Sequence, residues 1–288
     1  MDEFKKKYGP WALIIGASQG LGAAFAENCA KCGINVAICA RTQNKLDSVA
    51  KALRDKYKIE TRQICADIMV EDCAKKIDEA TSDLDIGFYL FNAAGVAGGQ
   101  FIEVLEEDHL KNIVSNCITP TLLTLRIAKR MVERKSGGIY LVSSMAGERG
   151  ISNWVSYGAS KGYEMLLGEG LWYELKKHGI DAGTYVVGST ETPEFKDSQE
   201  KHGTGLTGSS QKKSFFSKNI IPISPDAVAE ALFNQIGKGP KLFSKKADRT
   251  TSKLLSILSR KKAIQIISSV TEQHFHGGNN ELTGSTTK

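Results

Sequence analysis

The 288-residue sequence lacks a long apolar run. No stretch approaches the roughly 20 apolar residues that a membrane-spanning helix needs, so we expect no such helix. The opening residues, MDEFKKKYGPW, contain lysines but no long apolar segment behind them, and we therefore expect no signal peptide. The length suits one large domain with a single sizeable core, and the composition is that of an ordinary globular protein.

Paired cysteine motifs are also scarce, although the chain has six cysteines. Cys29 and Cys32 form one C-x-x-C pair, but a zinc site needs a second pair. A redox pair opens a helix, whereas this one falls near the end of a predicted helix. We therefore predict no metal site. The cysteines lie within apolar or helical patterns, as buried free thiols do, which favours a reducing, cytoplasmic location.

Excess positive charge is confined to one segment. Residues 238–262 contain nine Lys or Arg and one acid, so this segment carries +8 and the rest of the +6 chain sums to −2. The body is therefore not expected to bind nucleic acid or another polyanion. Leu254, Leu255, Ile257 and Leu258 lie between the basic clusters. We favour a helix that packs these residues on the body or across a subunit interface, and the alternative is a basic amphipathic helix on an anionic membrane surface.

Up to about residue 190, short β-branched and aromatic runs alternate with helical patterns. Strands are predicted at 11–15, 35–40, 61–66, 87–92, 138–144 and 181–187. Helices are predicted at 21–32, 43–57, 70–81, about 106–134 and about 154–177. Strands separated by helices imply right-handed crossovers and a parallel sheet covered on both faces. The sequence therefore predicts an α/β protein with a single doubly wound parallel sheet, the Rossmann fold.

The pattern changes after residue 190. Residues 190–220 contain Gly, Ser, Lys and Thr with the isolated aromatics Phe195, Phe215 and Phe216, which is typical of a long loop or lid. A further helix is predicted from Ser224 to a stop at Gly237. We therefore divide the chain into a Rossmann-fold domain over residues 1–240 and a basic helical extension with a disordered tail over residues 241–288.

Three glycines, Gly16, Gly20 and Gly22, lie where the first predicted strand meets the first predicted helix, in IIGASQGLG. Glycines there permit a tight turn and bring the backbone close to a ligand. The first amides of the helix then face that ligand with the positive end of the helix dipole. Ordinary turns also collect glycines, so the position between strand and helix carries the prediction of a pyrophosphate-binding loop.

Further motifs follow the glycine loop in a definite order. They are NAAG at 92–95, Asn116 within a helix, Ser144 after the fifth strand, Tyr157 and Lys161 as Y-x-x-x-K, and VVGSTETP at 186–193. Their order and spacing resemble the short-chain dehydrogenase/reductase family over about residues 8 to 240, whose nucleotide loop reads T-G-x-x-x-G-x-G. Ile15, Ala93 and Val187 replace the family's Thr, Asn and Pro. The first two replacements remove polar groups that brace the nucleotide loop and the central strand, which bears on cofactor affinity.

The resemblance implies a hydride-transfer site formed by Asn116, Ser144, Tyr157 and Lys161. Tyr157 and Lys161 are four residues apart and so face the same way on a helix. The ammonium and a positive nicotinamide ring favour the phenolate, so Tyr157 can exchange a proton with an oxygen that Ser144 also holds. The family assigns Lys161 also to the nicotinamide ribose, and Asn116 to a water that links the lysine to solvent. Taken singly, each residue also fits an ordinary role such as a solvated helix face or a strand cap.

The cofactor is predicted from the residue after the second strand. An acid there binds the 2′-hydroxyl of NAD, whereas this chain has Arg41, and a guanidinium binds the 2′-phosphate of NADP. We therefore predict NADP(H), the alternative being an ordinary surface arginine at a strand end. By resemblance, Asp67 and Ile68 contact the adenine. The full predicted cofactor-binding set is Gly16, Ser18, Gly20, Leu21, Gly22, Arg41, Asp67, Ile68, Asn92, Tyr157, Lys161, Gly188 and Thr190.

The substrate pocket is predicted to be apolar. Its wall runs from Met145 to Trp154 and includes Tyr163 and the loop 190–220. An apolar wall favours a sizeable hydrophobic carbonyl or alcohol, held at its reacting oxygen by Ser144 and Tyr157. The same aromatics also fit a plain core.

Three functional hypotheses stay open at this point. The stretches KYGPWALIIGAS, DLDIGF and GSTETP are similar to bacterial bile-acid 7-hydroxysteroid dehydrogenases, and also to 3-ketoacyl-CoA reductases and 17-beta-hydroxysteroid dehydrogenases. We favour an NADP(H)-dependent oxidoreductase that interconverts a secondary alcohol and a ketone on a hydroxysteroid-like substrate. A 3-oxoacyl thioester reductase is the second hypothesis and a non-catalytic nucleotide sensor the third. The resemblance also implies a homo-oligomer paired through the helices at about 106–134 and 154–177.

Overall fold

Seven parallel strands form the centre of the molecule. In the computed structural model, which describes residues 2–96, 98–192 and 222–276, they pair in the order β3-β2-β1-β4-β5-β6-β7. The strands are β1 Trp11–Ile15, β2 Asn35–Ala40, β3 Thr61–Cys65, β4 Ile86–Phe91, β5 Gly137–Ser144, β6 Ile180–Val187 and β7 Lys241–Phe243. From β1 the chain adds β2 and β3 on one side and then β4 to β7 on the other, so the direction of strand addition reverses between β1 and β4. Doubly wound sheets bind their ligands at such a switch point. The predicted fold class is confirmed.

Helices connect the strands and flank the sheet. They are α1 Asp2–Tyr8, α2 Gly20–Lys31, α3 Gln43–Tyr57, α4 Cys73–Ala80, α5 Glu106–Ile113, α6 Thr119–Arg134, α7 Val155–Lys176, α8 Pro225–Phe233, α9 Lys246–Ile257 and α10 Arg260–His276. A π turn, Val114–Ile118, joins α5 to α6. The helix predicted over about 106–134 therefore contains one wide turn, a feature that often marks functional sites.

Both faces of the sheet are buried. In β1, Ile14 packs with Phe25 of α2 on one face of the sheet. Its neighbour Leu13 packs with Ile77 of α4 and Ile127 of α6 on the other face. Successive strand residues point to opposite faces, so a strand covered on both sides is apolar throughout, as WALII is.

The sheet extends past residue 240, where the sequence analysis ended the Rossmann-fold domain. β7 pairs with β6 in parallel and places Phe243 opposite Val186. Residues 241–243 therefore belong to the sheet. A three-residue edge strand carries too little periodicity to be recognised from sequence. The predicted loop aromatics and the predicted disordered tail from 277 onward lie outside the described residues.

The two helices after β7 pack against the body. Leu255 of α9 is buried, while Ile257 is exposed. Arg149, in the loop after β5, donates a hydrogen bond from a guanidinium nitrogen to the Leu255 carbonyl at 2.9 Å. Thr271 of α10 donates its hydroxyl to the Ser152 carbonyl at 3.0 Å. The basic segment thus contacts the body through Leu255, whereas Leu254 and Ile257, which were also expected to be packed, are exposed. None of the helices in the described ranges is long and apolar enough to cross a membrane.

Candidate active site

In the glycine loop between β1 and α2, Gly16 and Gly22 are packed too tightly to carry a side chain. Gly16 has φ of +84°, and a Cβ there would lie 2.8 Å from the backbone of Ala93. A Cβ on Gly22 would lie 1.9 Å from the Gly16 carbonyl oxygen. The amides of Gly16 and Ala17 donate to the Cys39 carbonyl at 2.8 and 3.1 Å, which ties the loop to the end of β2. The loop therefore presents a bare backbone at the N-terminus of α2, as a phosphate ligand requires.

The NAAG segment after β4 closes the other side of this loop. The amides of Asn92 and Ala93 both donate to the Ile15 carbonyl at 3.1 Å. The Asn92 side chain donates to the Gly16 carbonyl at 3.3 Å. Asn92 thus braces the glycine loop from the neighbouring strand.

Asn116 lies in the π turn and is fully buried. Its Oδ1 accepts from the Gly95 amide at 2.9 Å. Its Nδ2 lies 2.8 Å from both the Gly95 carbonyl and Asn112 Oδ1, and 2.9 Å from Ser160 Oγ. Asn116 therefore connects the loop after β4 to helix α7. Ser160, which the sequence analysis did not single out, is its partner on α7.

Ser144 ends β5 beside the start of the next helical turn. Its side-chain oxygen accepts from the Ala146 amide at 3.2 Å. The preceding residue, Ser143, donates its hydroxyl to the Lys161 carbonyl at 2.6 Å. The end of β5 and helix α7 are therefore joined at the level of the candidate site.

Tyr157 and Lys161 occupy successive turns of α7. The Lys161 ammonium lies 6.0 Å from the centroid of the Tyr157 ring. The same ammonium donates to the Val142 carbonyl of β5 at 3.0 Å and to Glu164 Oε2 at 2.6 Å. Lys161 is 3% exposed, and Glu164 is fully buried. Glu164 was not predicted as a site residue. The sequence signal that could have identified it is a charged residue on the face of α7 that otherwise packs against the sheet.

Arg41 lies directly after β2 and is exposed. The glycine loop bonds to Cys39, two residues earlier, so Arg41 and the loop lie at the same edge of the sheet. Asp67 and Ile68 follow β3 at that edge, where Asp67 Oδ1 accepts from the Met69 amide at 3.0 Å. The structure thus places the predicted adenosine-side residues on adjacent strand ends.

The segment after β6 is held by the C-terminal part of the chain. The Gly188 amide donates to Ser244 Oγ at 3.2 Å, and Ser244 donates to Asp248 Oδ2 of α9 at 2.9 Å. Burial raises the pKa of the Asp248 carboxyl. Thr190 donates its hydroxyl to the Gly188 carbonyl at 3.2 Å. Asp248 is a second buried acid that the sequence analysis did not connect to the site.

Comparison with known proteins identifies the family. A family model described as short chain dehydrogenase matches residues 10–203. The chain belongs to the short-chain dehydrogenase family.

Two relatives and one solved structure support this assignment. A 7beta-hydroxysteroid dehydrogenase of Mediterraneibacter gnavus is 30% identical over 235 residues, which is 81% of this chain and 85% of that protein. The very-long-chain 3-oxoacyl-CoA reductase-B of Danio rerio is 34% identical over 177 residues, 60% of this chain and 57% of that protein. A solved structure of a 7beta-hydroxysteroid dehydrogenase aligns with a TM-score of 0.82 at 25% identity. The alignment covers 93% of this chain and 99% of the solved chain.

This short-chain dehydrogenase is an oxidoreductase that acts on a hydroxyl group with a nicotinamide cofactor. Its glycine loop fits such a cofactor, because Gly16 and Gly22 leave no room for a Cβ and keep the backbone bare at the start of α2. Ser144 lies at the carboxyl end of β5, and Lys161 of α7 donates to the Val142 carbonyl of the same strand. The arrangement can bind a dinucleotide and exchange a proton beside it.

One predicted wall residue of this dehydrogenase lies elsewhere. Tyr163 was expected in the substrate pocket, but it is exposed and its hydroxyl lies 2.6 Å from Thr121 Oγ1 of α6. Six residues along a helix rotate a side chain by roughly 240°, so Tyr163 points away from the face that carries Tyr157. Trp154 does lie beside Tyr157, with ring centroids 6.4 Å apart. The predicted loop aromatics lie outside the described residues.

Proposed function

We propose that this short-chain dehydrogenase interconverts a secondary alcohol and a ketone on a hydrophobic, hydroxysteroid-like substrate, using NADP(H). The observation that carries the proposal is the position of Tyr157 and Lys161. They lie one turn apart on α7, and Lys161 donates to the carbonyl of Val142, two residues before Ser144 on β5. A nucleotide sensor would need the glycine loop alone, whereas a paired Tyr and Lys together with a serine hydroxyl equips the site for proton transfer.

Each candidate side chain has a distinct task in this mechanism. The bound nicotinamide supplies a hydride in reduction and accepts one in oxidation. In reduction, the Tyr157 hydroxyl donates its proton to the substrate carbonyl oxygen as the C=O π bond breaks and new C–H and O–H bonds form. Ser144 donates a second hydrogen bond to the same oxygen. The phenolate left on Tyr157 is stabilised by the Lys161 ammonium and takes a proton from solvent, and oxidation runs the same steps in reverse.

The NADP(H) assignment rests on Arg41. The segment after β2 reads RTQNK and contains no acid that would bind a free 2′-hydroxyl. The guanidinium is exposed at the strand end next to the glycine loop, where a 2′-phosphate would accept charge-assisted hydrogen bonds from it. Ser18, Leu21, Asp67, Ile68, Asn92, Gly188 and Thr190 are proposed to complete the cofactor site.

The substrate class is proposed from the relatives and from the apolar wall. The 7beta-hydroxysteroid dehydrogenase of Mediterraneibacter gnavus matches 81% of this chain, and the solved 7beta-hydroxysteroid dehydrogenase structure covers 93% of it. Trp154 gives the proposed pocket an aromatic side next to Tyr157. A 3-oxoacyl thioester is the second candidate, which the similarity to the Danio rerio 3-oxoacyl-CoA reductase favours. A cytoplasmic location stays a prediction from the cysteine pattern.

We also propose that two copies pair through α5, α6 and α7. Large apolar side chains are exposed on these helices, including Leu166 at 70% and Tyr173 at 79%. Further exposed members are Leu110, Ile113, Leu122, Leu125 and Val155, together with Ile118 in the π turn between α5 and α6. Exposed apolar side chains in this number are typical of a subunit interface, because their contact with water is unfavourable.

The direct test is turnover with NADPH and a panel of ketosteroids and 3-oxoacyl thioesters. We expect Tyr157→Phe to lose roughly 10²- to 10⁴-fold in turnover, because only the proton donor is removed. NADPH binding, measured by quenching of tryptophan fluorescence, should remain in that variant. Retention of most activity by Tyr157→Phe would rule out this mechanism, and faster turnover of thioesters than of ketosteroids would favour the second candidate.

A further inference from the structure

The Lys161 ammonium has a buried acidic partner that the mechanism above does not use. Glu164 follows Lys161 by three residues on α7 and is fully buried. Its Oε2 accepts the 2.6 Å hydrogen bond from Lys161 Nζ, while its Oε1 has no hydrogen-bond partner among the described residues. A buried carboxylate with one unsatisfied oxygen is costly for a fold, since packing alone would favour an apolar residue there.

The groups that face Glu164 come from three elements. Lys161 lies on its own helix, Tyr89 lies on β4 and Cys117 lies in the π turn. The Tyr89 hydroxyl is buried. Burial, with a contribution from the Glu164 charge, raises the pKa of the Cys117 thiol to about 11. Neither Tyr89 nor Cys117 therefore supplies a charge near neutral pH, and Lys161 is the cation that faces Glu164 among these groups.

The ion pair restricts what Lys161 can do. An ammonium has three N–H donors, and two of them are directed to the Val142 carbonyl and to Glu164. One donor remains for the side of the site that holds Tyr157. The position of the ammonium is thus set from β5 and α7 before any ligand binds.

We propose that Glu164 is a positioning residue of the active site, which holds Lys161 and, by gaining or losing a proton, sets the net charge that the pair presents to Tyr157. The inference rests on the proposed function of Tyr157 and Lys161. With Glu164 ionised, the pair is neutral as a whole. With Glu164 protonated, the pair carries one positive charge, which stabilises the Tyr157 phenolate more strongly.

Burial and the neighbouring charge act on the Glu164 carboxyl in opposite directions. Burial raises its pKa to about 7, and the Lys161 ammonium acts against this rise. The carboxyl lies 2.6 Å from the ammonium of the candidate lysine. His109 also lies near the site, with Nδ1 2.6 Å from Ser156 Oγ. A measurement that reports carboxyl groups alone is needed to distinguish the two residues.

The first experiment is an infrared pH titration of the full-length protein without cofactor. The band of protonated carboxyl groups is recorded for the wild type, and the spectrum of Glu164→Gln is subtracted. We expect the Glu164 band to titrate near neutral pH. In Lys161→Met its midpoint should rise by roughly one to three pH units, because the opposite charge is lost. A midpoint in the ordinary glutamate range near 4.3, insensitive to Lys161→Met, would overturn the proposal.

The second experiment is a pH profile of kcat/KM for alcohol oxidation, together with NADPH affinity at each pH. We expect the inflection near neutral pH to disappear in Glu164→Gln, which keeps the size of the side chain and a hydrogen-bond acceptor. Glu174→Gln, an exposed position on the same helix, is the matched control and should keep the wild-type profile. An unchanged profile and unchanged NADPH affinity in Glu164→Gln would refute the role of Glu164 even when Tyr157→Phe behaves as expected.

The two experiments separate failure of this inference from failure of the proposed function. Absence of turnover on every substrate would contradict the proposed function, while the infrared titration would still decide the inference. If Glu164→Gln does not fold, Glu164→Asp replaces it in the pH profile, because the shorter side chain keeps the carboxylate charge. The profile of Glu164→Asp should keep an inflection at a shifted pH, and an unshifted one would count against the proposal.

Discussion

Substitution of Gly22 by Ala tests the glycine loop between β1 and α2 by adding a single methyl group. A Cβ at residue 22 would lie 1.9 Å from the Gly16 carbonyl oxygen and 2.9 Å from the Ala17 Cα. Real Cβ atoms stay at least 3.0 Å from such atoms, so the backbone of the loop must move by about 1.1 Å. The atoms in contact are backbone, not the end of a flexible side chain, so the strain cannot be relieved by a rotamer change.

The displacement is large compared with the tolerance of a hydrogen bond. Amide-to-oxygen distances span about 2.7–3.2 Å, so a shift of about 1 Å removes a loop amide from a bound phosphate. A hydrogen bond to a charged group contributes about 1.5–3 kcal/mol, and the loss of two such bonds weakens binding by about 3–6 kcal/mol. We therefore expect NADPH to bind roughly 10²- to 10⁴-fold more weakly to Gly22→Ala, since about 1.4 kcal/mol corresponds to a factor of ten.

The assay is NADPH titration by fluorescence, with thermal unfolding measured in parallel. Overpacking of the loop should lower the free energy of unfolding by about 1–3 kcal/mol. Gly170→Ala is the control, because a Cβ at that position of α7 would meet nothing within 4 Å. That variant should keep its NADPH affinity and gain about 0.5–1 kcal/mol in stability. The reasoning fails if Gly22→Ala binds NADPH within about threefold of the wild type and melts at the same temperature.

Three further predictions concern the cofactor, the oligomer and the C-terminal extension. Arg41→Asp should shift the cofactor preference from NADPH to NADH by roughly 10- to 150-fold in kcat/KM, because charge-assisted hydrogen bonds to the 2′-phosphate are lost. Equal kcat/KM of the wild type with both cofactors would contradict this prediction. Leu166→Glu should convert a dimer to a monomer in analytical ultracentrifugation, because it places a charge among the exposed apolar side chains of the proposed interface. A wild type that is monomeric at micromolar concentration would count against this interface. Deletion of residues 245–288 should lower the melting temperature, since the 1%-exposed Leu255 alone buries apolar area equivalent to about 1.5–3 kcal/mol. An unchanged melting temperature, together with salt-sensitive sedimentation of only the full-length protein with anionic liposomes, would favour a membrane role.

Local patterns were sufficient for the fold class and for the candidate residues on it. Each of the six predicted strands lies within one residue of a strand in the structure, because apolar β-branched runs bounded by turn residues are local features of the chain. The glycine loop and the Y-x-x-x-K motif are also local. The i, i+4 spacing alone places Tyr157 and Lys161 on one face of a helix. The sequence by itself therefore determined the doubly wound sheet, the glycine loop after its first strand and the one-turn spacing of Tyr157 and Lys161 on a helix.

Only the tertiary structure decided how these residues are partnered. Asn116 bonds to Ser160, 44 positions along the chain, and Gly188 bonds to Ser244, 56 positions away. β7 joins the sheet through pairing with β6, and Tyr163 faces α6 instead of the pocket. Glu164 is close to Lys161 in sequence, but its complete burial depends on tertiary packing. Periodicity describes which face of an element a side chain occupies, whereas burial and long-range hydrogen bonds depend on the elements that the fold brings against that face.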